Sequence, residues 1–576
     1  MFGLSWIDIA VLVGYLVVTT AIGMWLARSV HSAGDFFMPR RYGKAMLLMF
    51  SFGAGTSSDQ AVAVASKSYR SGLAGIWYQW LWLLATPFYW VVAVILRRSR
   101  AITTADMIEA RFDRSFSLLY TGLAVIHLTV QMGVMLKGSV AVIEATSGGL
   151  INPNYALVAV TAMFLLYGVF GGLAAAIVTD FLQGLLTLAF SFILLPALLT
   201  AVGGMSGLQA TLNNADMFSL ASSDITLFYI LIISLNGLIG IVAYPNMMSV
   251  CGASKSEYDS RWGLMSGNFV KRICTMAWCV TGLAAAGYYL GKTDVVADHI
   301  WGRLARDFLP AMGPGLLGLF LSGVLASLMS TCDAMMINCA ALFTENLYKP
   351  LAPARSERHY LWVGRASAAA MVGGGLLFAF RVESVIAGIE ILWCIIPAVG
   401  VILWLALAWR GVTVAGAWAG ALAGFAAWFV ASRPEVGAWF GATCPWAESW
   451  KVVSMAGGEV GTTAACVVSL PWQMVFYLVT AATVCIVTSW LTPKVRADKL
   501  DRFYDLMRTP VHPGEVLPVP CRLPEAVPAA PRRPLVPFIK SLEIQVPSRT
   551  TVLGFAVGWA IVAAMIGGFY WLTQAH

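Results

Sequence analysis

Charge is what this sequence has least of. Of 576 residues only 11% are Asp, Glu, Lys or Arg, and 59% are hydrophobic, against roughly 25% charged in an ordinary soluble domain. A soluble chain so composed would lack the polar side chains to cover its surface, so the composition excludes one. Histidine is also scarce: there are six, and only His127 falls in an apolar run. Bis-histidine haem ligation inside a bilayer needs at least two, and no zinc spacing appears. A redox or metal-hydrolase membrane enzyme is left without ligands. The net charge of +8 would suggest nucleic acid in a soluble protein. In a membrane protein it reads as cytoplasmic Lys and Arg that set topology.

Long apolar runs are abundant. Fourteen candidate spans lie at 7–28, 45–68, 73–96, 117–147, 155–170, 173–202, 226–250, 263–290, 313–345, 361–380, 385–409, 412–431, 471–491 and 551–572. Most approach the ~20 residues of helix that cross a hydrocarbon core. The first begins at Asp8 rather than a basic residue and has no small-residue cleavage site, so it reads as a retained helix rather than a signal peptide. With the N-terminus outside, and basic residues toward the span ends counted with the adjoining segment, the inner side holds 28 Lys and Arg, the outer side holds eight, and Lys137 alone is left within a span. That asymmetry predicts both termini outside. The inner segment 492–550 carries nine prolines from Pro510 to Pro537. It is expected to be an extended tether without a packed core, with a short surface helix at 498–507. A docking site for a regulatory partner is the other reading. Of ten cysteines, only Cys444 and Cys466 share an outer loop, which makes them the pair an oxidising face would join.

Polar groups inside the spans carry the functional signal. An ionisable side chain at mid-membrane costs several kcal/mol and demands a partner or a role. Asp180 in the sixth span and Asp333 in the ninth are two such groups, each about 15 Å from the inner boundary at 1.5 Å per residue. Ser327, Ser330 and Thr331 share one helix face with the i, i+3, i+4 spacing. They form a stripe of hard oxygens suited to a small monovalent cation, or they bond back to their own i−4 carbonyls. The second span has Gly53-Ala54-Gly55-Thr56-Ser57-Ser58-Asp59-Gln60 at its middle. Two glycines beside three hydroxyls predict a broken helix, tolerated at that depth only around a cavity or site. A glycine-mediated packing contact is the alternative.

Three stretches carry a family resemblance. The sixth span has Gly171-Gly172, then Val178-Thr179-Asp180-Phe181-Leu182-Gln183. The ninth has Ser330-Thr331 and ends Phe343-Thr344-Glu345-Asn346-Leu347-Tyr348-Lys349. The eleventh ends Trp409-Arg410-Gly411, followed by Thr413 and Gly416-Ala417. Over residues 1 to about 430 the chain resembles the sodium:solute symporter family, which includes sodium–glucose, sialic acid and proline carriers. The resemblance implies an all-α integral membrane protein of about 14 transmembrane helices with a LeuT-like 5+5 inverted-repeat core. The repeats would be 42–225 and 226–411, with a first peripheral helix and cytoplasmic loop at 1–41. Peripheral helices and an outer loop follow at 412–491, then the proline-rich loop 492–550 and a last transmembrane helix at 551–576.

The resemblance also implies a site. Sodium (Na+) would take the carbonyls of Gly53, Thr56 and Ser327 and the hydroxyls of Ser330 and Thr331. Some members hold a second sodium with the sixth-span aspartate and serines farther along the ninth span. Here those later positions are Asp333 and Ala334, so Asp180 and Asp333 would hold a second cation or share a proton, since two close carboxylates cannot both ionise cheaply. Substrate-binding positions are Ser57, Gln60, Gln79, Asn236 and Lys271, with Asn236 one residue out of the family's register. Where sugar carriers have a glutamine on the eleventh span, this chain has Ile389 beside Glu390. A sugar, a carboxylate and an amino acid therefore all stay open. Lys271 has a second reading, a lysine snorkelling to the cytoplasmic face beside Arg272. The implied function is sodium-coupled symport of a small polar solute across the cytoplasmic membrane. A proton-coupled symporter of the same fold and a non-transporting solute sensor are the alternatives.

Overall fold

In the computed structural model, residues 4–27, 42–444, 450–456, 465–512, 515, 519–525 and 527–574 are described, with side chains left out at several positions from 163 to 175. Residues 28–41, most of the expected first cytoplasmic loop, lie outside them. Nearly all regular structure is helical, because a backbone in hydrocarbon must satisfy its own hydrogen bonds.

The chain opens with α1 (Trp6–Ala27), then α2 (Lys44–Gly53) and α3 (Ser58–Ser71). The expected break in the second span is present: helix stops at Gly53, and Ser57 is extended (φ −129°, ψ 162°) before α3 resumes. Gly72, at φ +66°, and a 3-10 turn separate α3 from α4 (Trp77–Arg98). Only glycine fits there, since a Cβ would lie 2.1 Å from the Met217 carbonyl oxygen. A short α5 (Thr104–Arg111), closed by a Thr103–Asp106 capping box, leads into α6 (Arg114–Thr146).

α7 (Pro153–Phe192) departs from expectation. The fifth and sixth expected spans, 155–170 and 173–202, run as one helix through the Gly171-Gly172 pair between them. Two glycines weaken a helix by only about 1 kcal/mol each, which continuous backbone bonding overcomes.

α8 (Leu227–Gly240) and α9 (Pro245–Gly252) are one expected span bent by 57°. This second break was not anticipated. Pro245 supplies no N–H and sits at the first turn of α9, and the freed Ala243 carbonyl accepts from the Tyr120 hydroxyl at 2.7 Å. α10 (Glu257–Tyr288), α11 (Ile300–Met312) and α12 (Leu316–Ala341) follow. α12 continues into a π-helical turn, Leu342–Tyr348, whose Asn346 bonds both Thr103 and Asp106 of the α5 cap. Beyond lie α13 (Glu357–Ala379), α14 (Val385–Ile395), α15 (Pro397–Ala408), α16 (Val414–Ala431) and α17 (Pro434–Thr443). A hairpin, β1 (Val453–Ala456) with β2 (Ala465–Val468), precedes α18 (Leu470–Leu491). α19 (Ala497–Arg508) and α20 (Arg549–Thr573) complete the chain.

Among the described residues ten helices are long and apolar enough to cross a membrane, or eleven with the bent pair as one span. The core lies around two helices. α12 is buried along almost its whole length and packs on α1, α6, α7 and α13. α10 packs along α2, α3 and α4. The broken α2–α3 therefore runs between them, while α20 buries only Gly558, Val562, Phe569 and Thr573 and stands at the periphery.

Two loop expectations need correction. Cys444 and Cys466 are free thiols. β2 lies against α17 with Cys466 over Gly437 and Gly441, and its thiol turns to the Gly437 carbonyl. Cys444 contacts Thr443 instead. The proline-rich segment is no free tether either. It contains the expected short helix, α19, and its charges bind the helix ends. Arg100 reaches Glu515, Thr509 and Pro510. Glu543, with a side chain 1% exposed, gathers Arg410, Arg508 and Arg532 at 2.8, 3.6 and 3.3 Å. α19 buries Leu500, Phe503, Tyr504 and Leu506 against the helices, and beyond it the attachment is largely ionic.

Candidate functional site

The α2–α3 break brings together most of the residues flagged in the sequence. On its α12 side the Thr331 hydroxyl lies 3.1 Å from the Gly53 carbonyl, 3.4 Å from that of Thr56 and 3.1 Å from that of Ser327. The Gly53 and Thr56 carbonyls are turned toward α12 because the helix stops there, the Gly53 one also accepting from the Thr56 N–H at 3.1 Å; the Ser327 carbonyl is in reach because Thr331 is four residues on. The neighbouring Ser330 hydroxyl is fully buried and has no hydrogen-bond partner, as is true of the Thr56 hydroxyl and both Asp180 carboxyl oxygens. Buried polar groups are almost always paired, so four partnerless oxygens in one neighbourhood mark a place for a ligand. All are hard oxygen donors, the set that suits a small alkali cation. Gly53 is obligatory here: a Cβ would lie 2.7 Å from the Ser330 hydroxyl and 3.4 Å from the Asp180 side chain. Asp180 and Asp333 are close enough for their charges to interact.

The other side of the break faces a cavity. Ala54, Gly55 and Gln60 line it, opposite Gln79 on α4 and Lys271 and Arg272 on α10. The Gly55 carbonyl accepts from the Lys271 ammonium and from the Gln60 amide at 3.2 Å, and the Gln60 carbonyl oxygen has no partner. The snorkelling reading of Lys271 fails. It is 7% exposed and about 21 Å along α10, reckoned at 1.5 Å per residue. Arg272, 1% exposed, donates to the Gln79 backbone and side-chain oxygens.

Two expected substrate residues are elsewhere. Asn236 donates to the Trp393 carbonyl at 2.8 Å and accepts from Tyr477, tying α8 to α14 and α18 rather than lining the cavity. Ser57 donates to Asp59, orienting a carboxylate that does line it. Conversely, sequence reasoning passed over Arg272, His127 and Tyr244. The last two pack ring to ring at 5.2 Å across the cavity wall. Two adjacent cations eight and nine residues inside the boundary of the expected span 263–290 were the available signal for Arg272. A glycine four residues before Tyr244-Pro245 was the signal for the second break.

Next to the lining residues Ile389 and Gln79, Glu390 accepts from the Tyr78 hydroxyl at 2.6 Å, with Tyr229 bonded to Tyr78 in turn. The arrangement is an ion-sized cluster and a solute-sized cavity sharing the two faces of one interrupted helix.

Comparison with known proteins agrees with that geometry. The model of the sodium:solute symporter family matches residues 36–424, the greater part of the chain. The sodium/pantothenate symporter of Escherichia coli (strain K12) is 26% identical over 64% of this chain and 77% of its own. The sodium/proline symporter of the same organism is 25% identical over 70% and 83%. A solved substrate-bound, outward-open Na+-coupled sialic acid symporter superposes with a TM-score of 0.70 at 18% identity, covering 85% of this chain and 99% of that one. Motifs, fold and family model coincide on the same region: this chain belongs to the sodium:solute symporter family.

Proposed function

We propose that the protein couples sodium entry to the uptake of a small polar organic solute (sugar, carboxylate or amino acid) across the cytoplasmic membrane by alternating access. Sodium binds between the α2–α3 break and α12, on the carbonyls of Gly53, Thr56 and Ser327 and the hydroxyls of Ser330 and Thr331. The solute binds in the adjoining cavity at Gln60, Gln79 and Lys271. The observation that carries this is the placing of three backbone carbonyls within 3.4 Å of the Thr331 hydroxyl beside a buried, partnerless Ser330.

Coupling follows from the shared break. A cation drawn onto Gly53 and Thr56 fixes the backbone of Ala54 and Gly55, which form the cavity wall. Filling one side therefore orders the other. The breaks in α2–α3 and α8–α9 fall in the second and seventh expected spans, five apart, which supports the repeats 42–225 and 226–411. Both termini lie outside in this reading. A single charge falling through 100 mV supplies about 2.3 kcal/mol, roughly 40-fold accumulation of a neutral solute. The partnerless Asp180 carboxylate near Asp333 favours a proton or second cation there as an auxiliary ion.

A sodium titration of tryptophan fluorescence, with potassium at equal ionic strength as the blank, tests the ion site. Saturable, sodium-specific quenching that is lost in Ser330→Ala is expected. A response unchanged by that substitution removes the site. Sodium and solute binding without uptake into proteoliposomes would make the protein a sensor.

A further inference from the structure

We infer that the solute is an organic anion, and that Arg272 with Lys271 takes its carboxylate; the inference rests on reading the cavity as the solute site. Both cations line that cavity and are almost fully buried. Neither forms an ion pair with any described carboxylate. The Arg272 guanidinium meets only neutral oxygens, at 2.8 and 3.4 Å on Gln79 and 3.4 Å on Asn268, and its Nε has no partner. Lys271 donates to a single backbone carbonyl.

Asp59, the one carboxylate in the cavity wall, is bonded by Ser57 and lies close enough to Lys271 for their charges to interact, so it is Arg272 that is left without an acid. Glu390 is held by Tyr78, and Lys67 is the cation facing it. The cavity thus carries two cations against one acid. A desolvated cation left on neutral acceptors is costly, and a carboxylate arriving between two of them forms charge-assisted bonds that relieve it. A neutral sugar or amide supplies hydrogen bonds but leaves the excess charge in place. Gln60, with a free carbonyl oxygen, remains for a hydroxyl or amide N–H on the rest of the solute. The consecutive positions 271 and 272 point about 100° apart on α10. One side chain reaches the α2–α3 break and the other reaches α4, so an anion between them would bridge the two walls.

The test uses the purified full chain in nanodiscs and reads sodium-dependent shifts in its thermal unfolding. The probes are choline salts of acetate, lactate, pyruvate and pantothenate, against the neutral acetamide, lactamide and glucose. At least one carboxylate is expected to shift the midpoint in sodium but not in potassium, and its amide counterpart is not. Arg272→Gln and Lys271→Gln are each expected to weaken that binding by about 10- to 100-fold, the usual worth of a charge-assisted bond, while Arg272→Lys keeps most of it. The sodium response itself verifies that each variant is folded. Equal shifts with the amides or glucose overturn the inference. So does carboxylate binding unaffected by Arg272→Gln, or an intact sodium response with no shift from any of the four acids. Loss of the sodium response in the unmodified protein counts instead against sodium coupling, and carboxylate-over-amide discrimination still decides this point.

Discussion

A single backbone position shows how tightly the ion cluster is built. Gly53 ends α2, offers its carbonyl to Thr331 and leaves room for the Ser330 hydroxyl 2.7 Å from where a Cβ would stand. Gly53→Ala must push Ser330 or Asp180 aside. We expect sodium affinity to fall by about 10-fold or more, on the scale of one lost charge-assisted bond, with the protein still folded; isothermal titration with sodium checks it. Thr331→Val removes the hydroxyl but keeps the shape, so its loss should match that of Ser330→Ala within about threefold if the two ligate as equals. Asp180 lies beside Ser330, 3.4 Å from where the same Gly53 Cβ would stand. Asp180→Asn should leave the sodium titration in place but abolish any dependence of uptake on an inward proton gradient, measured in proteoliposomes. These residues were legible in sequence because their chemistry is wrong for their surroundings: hydroxyls, glycines and carboxylates in apolar spans. Arg272 was passed over because a basic residue near an expected span boundary reads equally as a topology signal.

At the level of elements, the proline-rich segment is the part whose role changed most. It lies across the ends of α4, α10 and α15: Arg98 and Val511 meet at Glu257, Tyr504 bonds the Ala406 carbonyl, and the Glu543 amide bonds that of Ala408. In the proposed repeats α4 belongs to one half and α10 and α15 to the other. On that proposal the segment straps together two halves that move against each other during transport. Burial raises the Glu515 carboxyl, but its bonds to Arg100 outweigh this and leave it below the ordinary 4.5. A carboxylate with a lower pKa when docked than when released binds its proton preferentially on release. Docking is therefore at full strength above about 4.5 and is lost as pH falls through the depressed value. Hydrogen exchange at the Val511 and Cys521 amides, corrected for intrinsic pH dependence, should accelerate below that point. Glu515→Gln should produce the same acceleration at neutral pH. The α8–α9 bend is the matching lesson for helices. A proline preceded by a glycine announces a break, but the apolar residues around it hide the break from a search for polar anomalies.

For the whole molecule, the proposed coupling predicts a voltage dependence. Uptake of a neutral solute with one sodium should be electrogenic, and an inside-negative potential of 100 mV should raise steady-state accumulation roughly 40-fold without any sodium gradient. With the solute an anion, as inferred above, one sodium makes transport electroneutral and that voltage effect vanishes. A second cation at Asp180 and Asp333 would restore it. Accumulation measured in proteoliposomes against an imposed potassium diffusion potential separates these cases.

The sequence alone determined that this is a polytopic helical membrane protein of a known symporter family. It also located the broken second span and named the residues that meet there. Hydrophobic length and misplaced polar groups are local properties, written in consecutive residues. Only the tertiary structure decided which polar residues share a space. It turned Lys271 and Arg272 from presumed boundary charges into cavity walls. It set Asn236 into a helix junction, kept Cys444 and Cys466 as free thiols, and folded the proline-rich segment onto the helix ends. Each of these depends on partners tens to hundreds of residues away, and a pairing between distant residues leaves no periodic mark on either one.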